Sequence, residues 1–285
     1  MKIAIAGASG FIGKNIIKTF LEKNWQIIEI NRKDFSLTQD EFIEKIADSD
    51  CVINLAGAPI LRRWTFSYKK VLFESRIITT RKIRLAIAAM KNKPQLFIST
   101  SAVGFYPEGG PFSESDRSYF PSFLADLCRD WENEALLIEN DCRLVIFRFG
   151  VVLDKSDGAL TKMLPMFKMG IGGKIGNGQQ GFSWIHINDL INAYVFVIEN
   201  KTCKGIFNLT APVPISNSEM TKALSVSLNR PAFFRVPASI LKLIYGEAAI
   251  TIIEGQKVIP KRLQEAGLVF LFPDIAGALK NLLKN

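Results

Sequence analysis

This sequence is poor in the residues that staple or metallate small proteins. It has four cysteines, Cys51, Cys128, Cys142 and Cys203, with no CxxC pair among them, and a single histidine, His186. Disulfides and a zinc site are therefore not expected, and Cys51 and Cys142 fall at the start of apolar strand patterns, where a thiol serves as a small hydrophobe. No apolar run is long enough to cross a membrane; Ile3–Ala8 and Leu144–Phe147 are strand-sized. The opening Met1-Lys2-Ile3-Ala4-Ile5-Ala6 reads as a strand and has no signal-peptide core, so a cytoplasmic location is expected. The formal net charge is +9, yet the cations come as scattered pairs such as Arg62-Arg63 and Lys261-Arg262. No dense basic block or nucleic-acid motif accompanies them. Repeats, low-complexity tracts and long polar linkers are also missing, so nothing marks a clean domain boundary.

What is present is an alternation of short apolar runs and helical patterns. Residues Lys2–Ala6, Gln26–Ile30, Cys51–Leu55, Leu96–Thr100 and Arg143–Phe147 read as strands, and Phe11–Glu22, Thr38–Ala47, Ser67–Met90 and Ser122–Glu139 as helices. That order predicts an α/β fold, a Rossmann-type doubly wound parallel sheet with right-handed crossovers. Thr38 followed by Glu41 has the reciprocal capping spacing of a helix start. Past Gly150 the pattern loosens into a strand at Trp184–His186, a helix at Asp189–Glu199 with Asp189 expected to cap it, a strand at Gly205–Leu209 and a helix at Ser218–Ser227. An apolar helix at Ala238–Ile253, a strand at Gly267–Leu271 and a helix from Asp274 complete the chain. Residues 1–235 are thus expected to form the nucleotide-binding domain, with substrate-side elements after residue 150, and 236–285 a small C-terminal α/β appendix.

Gly7-Ala8-Ser9-Gly10-Phe11-Ile12-Gly13 follows the first strand directly and opens the first helix, so backbone amides and the positive helix end converge where a pyrophosphate would sit. Glycine at Gly7 and Gly10 keeps side chains out of the ligand's way, and Gly13 permits close packing of the helix. The second strand ends Glu29-Ile30-Asn31-Arg32-Lys33. Dinucleotide folds read the adenosine 2′-position there. An amide at the tip followed by two cations favours a 2′-phosphate, hence NADP(H) over NAD(H).

With these residues the chain resembles the extended, epimerase/dehydratase-like branch of the short-chain dehydrogenase/reductase superfamily. Asn54-Leu-Ala-Gly57, Ser75-Arg76-Ile77, Ser101-Ala-Val-Gly-Phe-Tyr106, Trp131-Glu132, Arg148-Phe-Gly-Val-Val-Leu153, Gly170-Ile-Gly-Gly173, Trp184-Ile-His-Ile-Asn-Asp189 and Ala211-Pro212 occur in one order. Together they are similar to the atypical epimerase-family proteins of unassigned substrate, some known as cell-division-inhibitor homologues. The likeness extends through Gly246-Glu247 and Gly255-Gln256 of the appendix. It implies that Leu55, Ala56 and Gly57 line the adenosine and ribose side of the cofactor and Phe149, Gly150 and Val151 the nicotinamide side. Phe35 is placed beside the adenine, and Ser99 and Thr100 at the fourth strand's end are counted with the cofactor-binding set.

The superfamily's catalytic Tyr-x-x-x-Lys pair works because residues four apart share a helix face and the lysine cation stabilises the phenolate. It is missing here: Tyr68, Tyr106, Tyr119, Tyr194 and Tyr245 are followed four residues on by Leu72, Gly110, Phe123, Ile198 and Ala249. Counting back from Glu132 places Leu124 and Cys128 at the two positions. Ser101 stands where the resemblance puts the substrate-polarising serine. Tyr106 and His186 are the other candidates for acid–base work, while an imidazole near a strand end also suits a structural hydrogen bond. Trp64, on the long loop after the third strand, is a candidate pocket wall. Two readings stay open: an NADP(H)-dependent oxidoreductase of unknown small-molecule substrate with a displaced proton donor, and a non-catalytic NADP(H)-binding regulatory or interaction protein. A homodimer is left open, and neither a metal, a nucleic acid nor a membrane is expected as partner.

Overall fold

Side chains of an extended segment point alternately to opposite faces. In Lys2–Ala6 all four residues after the lysine are buried, so both faces of the sheet that holds them need cover. The computed structural model, which describes residues 1–284, shows such a sheet. Its six parallel strands are β1 (Lys2–Ala6), β2 (Gln26–Ile30), β3 (Cys51–Asn54), β4 (Leu96–Ala102), β5 (Arg143–Phe149) and β6 (Gly205–Leu209), in the order β6-β5-β4-β3-β1-β2. Ile3 and Ile5 join Ile53, Ile98 and Phe147 in a core on one face, covered by helix α1 (Phe11–Glu22) and by the later helix Ile187–Glu199. Ala4, Ala6, Val52, Phe97 and Ile146 face the other way, toward α2 (Gln39–Ile46) and later helices. Burying each of the large aliphatic side chains completely contributes about 1.5–3 kcal/mol.

From β1 the chain winds to β2 on one side and then crosses back to β3 on the other. The carboxyl ends of β1 and β3 therefore diverge beneath a crevice, the usual ligand position in an open doubly wound sheet. Thr38 caps α2 as its spacing predicts: its hydroxyl accepts the Glu41 amide and its own amide donates to the Glu41 carboxylate at 2.8 Å.

Several elements differ from the sequence expectation. The helix expected over Ser67–Met90 is α3 (Phe66–Phe73) and α4 (Thr79–Ala89), joined by a π-helical turn at Glu74–Ile78. Helix α5 spans Phe123–Leu136, α6 Ala159–Lys168, α7 Ile187–Glu199 and α8 Asn217–Leu228. Asp189 is not the cap of α7. The cap is His186, whose Nδ1 accepts the Asn188 amide at 3.0 Å, and Asp189 is buried within the first turn. Gly267–Leu271 is not a strand: the Asp189 carboxylate accepts the amides of Leu271 and Phe272 at 2.7 and 3.0 Å, while Leu268 and Phe270 pack on the main core. The segment Ala238–Ile253 breaks at Gly246 into α9 (Ala238–Tyr245), a 3-10 turn and a short helix.

The C-terminal segment is woven into the rest of the molecule. Gln256–Val258 pairs in parallel with Gly109–Phe112, and Ser183 clamps both ends of it, donating to the Gln256 carbonyl and accepting the Val258 amide. Leu263 sits in the main core, and the helix Ile275–Leu283 buries Leu279 and Leu282 against α6 and α8. No helix among the described residues is long and apolar enough to cross a membrane.

Candidate functional site

The glycine turn sits at the carboxyl end of β1. Gly7 has φ +81°, and a Cβ there would lie 2.8 Å from the backbone of Leu55. A Cβ at Gly13 would lie 2.4 Å from the Gly7 carbonyl, so these two glycines are required by close approach within the turn itself. Gly10 differs: a Cβ there would meet only the Gly7 carbonyl, at 3.2 Å, and otherwise open space. The first bond inside α1 runs from the Lys14 amide to Gly10, and α1 has neither a side-chain cap nor an acid in its first turn. The amides of Phe11, Ile12 and Gly13 thus lie in the orphaned first turn of the helix, beside exposed Ser9 and Gly10. The turn suits an oxyanion, which such a terminus stabilises by roughly 0.3–2 kcal/mol.

At the end of β2, Arg32–Ser36 forms a 3-10 turn capped by Asn31. Asp34 is buried, and its carboxylate accepts the Asn31 amide at 2.7 Å. The acid of this loop is therefore turned inward and spent on capping, leaving Arg32 and Lys33 exposed as its outward charges. Phe35 is half-buried and packs on Phe42 at 5.5 Å between ring centroids.

The carboxyl edge of β3 is braced by one oxygen. Thr80 Oγ1 donates to the Arg76 carbonyl at 2.7 Å and accepts from Asn54 Nδ2 and from Trp131 Nε1, each at 2.9 Å. Asn54 Oδ1 in turn accepts the Ala56 amide, which fixes Leu55-Ala56-Gly57 above β3. Thr100 donates to the Asn54 carbonyl at 2.7 Å and ties the ends of β3 and β4 together, whereas the Ser99 hydroxyl is fully buried within the sheet. Leu55, Ala56, Phe149, Gly150 and Val151 are partly exposed and Gly57 exposed along this edge. Gly150 is held to glycine by the Ser183 carbonyl, 2.7 Å from a would-be Cβ.

Behind Phe149, Gly150 and Val151 runs a buried polar chain. Ser101 donates to Glu132 at 2.6 Å; Glu132 takes both Nε and Nη2 of Arg148 at 2.7 Å; Arg148 Nη1 donates to the Tyr106 oxygen at 2.8 Å. Both ion-pair side chains are 4 % exposed. Tyr106 stacks on Phe112, and its hydroxyl faces the Ser113 carbonyl and Asn208 Oδ1, each at 3.0 Å. Burial pushes the Tyr106 pKa up, and the neighbouring Arg148 only partly offsets this. Burial works against the Arg148 charge, but the bonds to Glu132 outweigh it and the pKa is raised.

On α5, where the superfamily carries its Tyr and Lys, Leu124 packs against Gly104, leaving only 2.6 Å for a Cβ there. Burial, with Glu132 adding to it, pushes the Cys128 thiol up to about 12, so it is a neutral group. Leu124 and Phe123 join Trp64, Tyr68 and Trp131 in an apolar wall that reaches Ala248 and Tyr245 of the C-terminal segment. Trp64 is buried in that wall, 5.0 Å from Phe123.

The structure thus brings Ser101 and Tyr106 into one network and leaves His186 outside it. His186 is buried, stacked on Phe272 at 3.8 Å, with Nε2 facing Asn281 Oδ1 at 3.1 Å. Because Nδ1 accepts an amide hydrogen, Nε2 carries the ring proton and donates it to Asn281. Burial lowers its pKa. Glu132, Arg148 and Thr80 are the hydrogen-bonding partners that residue typing alone passes over; the first two stood inside recognised motifs without a role. No group of three or more metal-ligating side chains converges among the described residues.

Comparison with known proteins agrees with this architecture. Residues 3–210 match the model of the NAD dependent epimerase/dehydratase family, and residues 236–282 that of a domain of unknown function, DUF1731. The chain is 37 % identical over 303 residues to the chloroplastic epimerase family protein SDR39U1 homolog of Arabidopsis thaliana, covering all of this chain and 87 % of the relative. It is 34 % identical to the mouse epimerase family protein SDR39U1, with 99 % of each covered. The crystal structure of the human epimerase family protein SDR39U1 with NADPH superposes with a TM-score of 0.92 at 30 % identity, covering 99 % of both chains. A UDP-glucuronic acid 4-epimerase from Bacillus cereus, at 18 % identity and a TM-score of 0.80, shares the fold. The chain belongs to the NAD dependent epimerase/dehydratase family, in the SDR39U1-like group that carries the extra C-terminal domain.

Proposed function

We propose that this protein binds NADP(H) at the glycine turn and acts as an epimerase/dehydratase-like oxidoreductase on a small molecule held against the apolar wall of Trp64, Tyr68, Phe123 and Leu124. The observation that carries the choice of cofactor is the Asn31–Ser36 turn. Its single carboxylate, Asp34, is consumed by the Asn31 amide, while Arg32 and Lys33 stand exposed where a 2′-phosphate would lie. The amides at the start of α1 and the open face of Gly10 would hold the pyrophosphate, Leu55, Ala56 and Gly57 the ribose, and Phe149, Gly150 and Val151 the nicotinamide. Bound there, NADP(H) supplies a hydride donor or acceptor. The NADPH complex of the human relative supports this reading.

A second reading, a holder of NADP(H) without turnover, is favoured by one observation. Every sequence-derived candidate for proton transfer is committed inside the protein: Ser101 to Glu132, Tyr106 to Arg148 and Asn208, His186 to Asn188 and Asn281. Calorimetric titration with NADPH and NADH tests the cofactor assignment. A charge-assisted bond to the 2′-phosphate contributes roughly 1.5–3 kcal/mol, about ten- to a hundredfold in affinity. NADPH should bind tighter by that factor and lose it in Arg32→Ala; equal affinities in the native protein would overturn the assignment.

A further inference from the structure

Arg76 is a charge with no counter-charge. Arg148 is paired with Glu132, and Arg81 and Arg84 share Glu134, but Arg76 makes no ion pair among the described residues. The acids of α5 are all taken, Glu132 by Arg148 on both oxygens, Glu134 by Arg81 and Arg84, and Asp126 and Asp130 by Arg129. The Arg76 guanidinium has one good hydrogen bond, from Nη2 to the Ala58 carbonyl at 2.9 Å, and two long ones at 3.4 Å from Nη1 to Leu72 and Ser75. Its Nε–H has no partner among the described residues.

The position of the free edge is informative. A Cβ on Gly57 would lie 3.4 Å from Arg76 Cζ and Nη2 and 3.8 Å from Nε, so the guanidinium lies in contact range of an exposed backbone residue. Gly57 continues directly from Leu55 and Ala56, whose backbone abuts the glycine turn at Gly7. The guanidinium also lies over the Trp131 ring, 5.3 Å from its centroid, and Tyr68 and Cys128 are the ionisable groups that face it. Two other cations touch the wall formed by Trp64, Tyr68, Phe123 and Leu124, Lys69 over the Phe123 ring at 4.7 Å and Arg62 over the Tyr68 ring at 5.6 Å, but Lys69 is paired with Glu247 at 2.6 Å and Arg62 is exposed. Arg76 is mounted on the π-helical turn Glu74–Ile78, an irregularity that recurs at functional sites. The side chain is half-buried, its Nε edge stays accessible, and a planar guanidinium pairs well with carboxylate and phosphate oxygens.

We infer that Arg76 is the anion-recognition group of the substrate side, binding a carboxylate or phosphate oxygen of the small molecule over Gly57. This inference rests on the proposed placement of a small molecule beside the cofactor, and it restricts the substrate class to anionic compounds.

The test uses the full chain and the 1H–15N resonance of the Arg76 Nε–H, assigned by its loss in Arg76→Lys. NADPH is first titrated to saturation with tryptophan fluorescence as the binding readout, and malonate and inorganic phosphate are then added in separate arms. The expected result is that the Nε–H resonance moves with the added anion in the NADPH-loaded protein. Anion affinity should fall at least tenfold in Arg76→Met, while NADPH affinity changes less than twofold. A resonance that shifts fully on NADPH addition and ignores the later anions would assign Arg76 to the cofactor's phosphates and overturn the inference. A resonance unmoved by every ligand would also overturn it. Failure of NADPH to bind would sink the cofactor reading separately, because the anion titration can be read on the unloaded protein. Should the Arg76 variants fold poorly, the resonance is assigned on the native chain by through-bond correlation from the Arg76 backbone amide, and the native-chain titration then stands alone.

Discussion

Replacing Glu132 by alanine should destabilise the protein far more than its single ion pair would suggest from a surface position. Glu132 and Arg148 are each 4 % exposed, and the carboxylate accepts three hydrogen bonds at once, two from Arg148 and one from Ser101. Removing it strands a guanidinium packed 3.6 Å from the Phe105 ring centroid, with its only ion-pair partner gone. Breaking one side of such a buried pair costs about 3–5 kcal/mol. The orphaned Ser101 hydroxyl adds roughly 1 kcal/mol. Native domains have only about 5–15 kcal/mol in total. At about 2–4 °C per kcal/mol for a chain of this size, the thermal midpoint should fall by on the order of 10 °C. The paired replacement Glu132→Leu/Arg148→Met removes both charges together and should recover most of that loss, because neither ion is then left unpaired. Urea denaturation followed by circular dichroism on the native protein, Glu132→Leu, Arg148→Met and the double variant gives the coupling directly, with Glu132→Ala measured alongside. An alanine variant within 1 kcal/mol of the native protein, or a double variant as damaged as the two single losses added together, would refute the reasoning.

The parts of this molecule that were legible in its sequence are those whose physics is local. The apolar run of Ile3–Ala6, the glycine turn after it and the Thr38/Glu41 cap each depend on residues a few positions apart, and all appear at the expected places. Partnerships across the chain were not legible. His186 and Asp189 were recognisable as polar residues near a helix start, but the groups that occupy them, Asn281 and the Leu271 and Phe272 amides, lie 95, 82 and 83 residues downstream. That same partnership explains why Gly267–Leu271 is not a strand. Its apolar residues find the main core without a ladder, and the amides of Leu271 and Phe272 are taken by a carboxylate. The π-helical turn left no trace in a segment that reads as one helix, because widening a single turn keeps the apolar face nearly intact. Arg76 was visible as part of a motif. Its solitude could be seen only after Glu132 was found committed to Arg148.

Gly10→Val should leave the fold intact and abolish dinucleotide binding, since a side chain there enters open space apart from the Gly7 carbonyl at 3.2 Å; normal NADPH titration in a folded variant would place the cofactor elsewhere. His186 gives a pH signature. Its pKa is lowered by burial in the folded state, so the neutral ring stabilises the fold above the unfolded value near 6.5, and that stability drains away as pH falls through the lower folded pKa. Urea midpoints of the native protein should decline on acidification below about pH 6.5 more steeply than those of His186→Gln; parallel curves would remove His186 as the cause. The last expectation concerns the missing dyad. NADPH oxidation by the native chain should be slow on carbonyl and sugar-nucleotide substrates, because assistance of about a hundred- to ten-thousandfold from a general acid has no placed donor. Reinstalling the pair as Leu124→Tyr/Cys128→Lys should not restore it. Leu124 is packed against Gly104, and position 128 is buried among Glu132, Arg76 and Arg148. A lysine there would set three cations around one carboxylate that Arg148 already saturates, so the variant should lose stability before it gains a phenolate. A well-folded double variant that oxidises NADPH at ordinary enzyme rates would show that α5 still has room for the superfamily's chemistry, and the argument from its packing would fall.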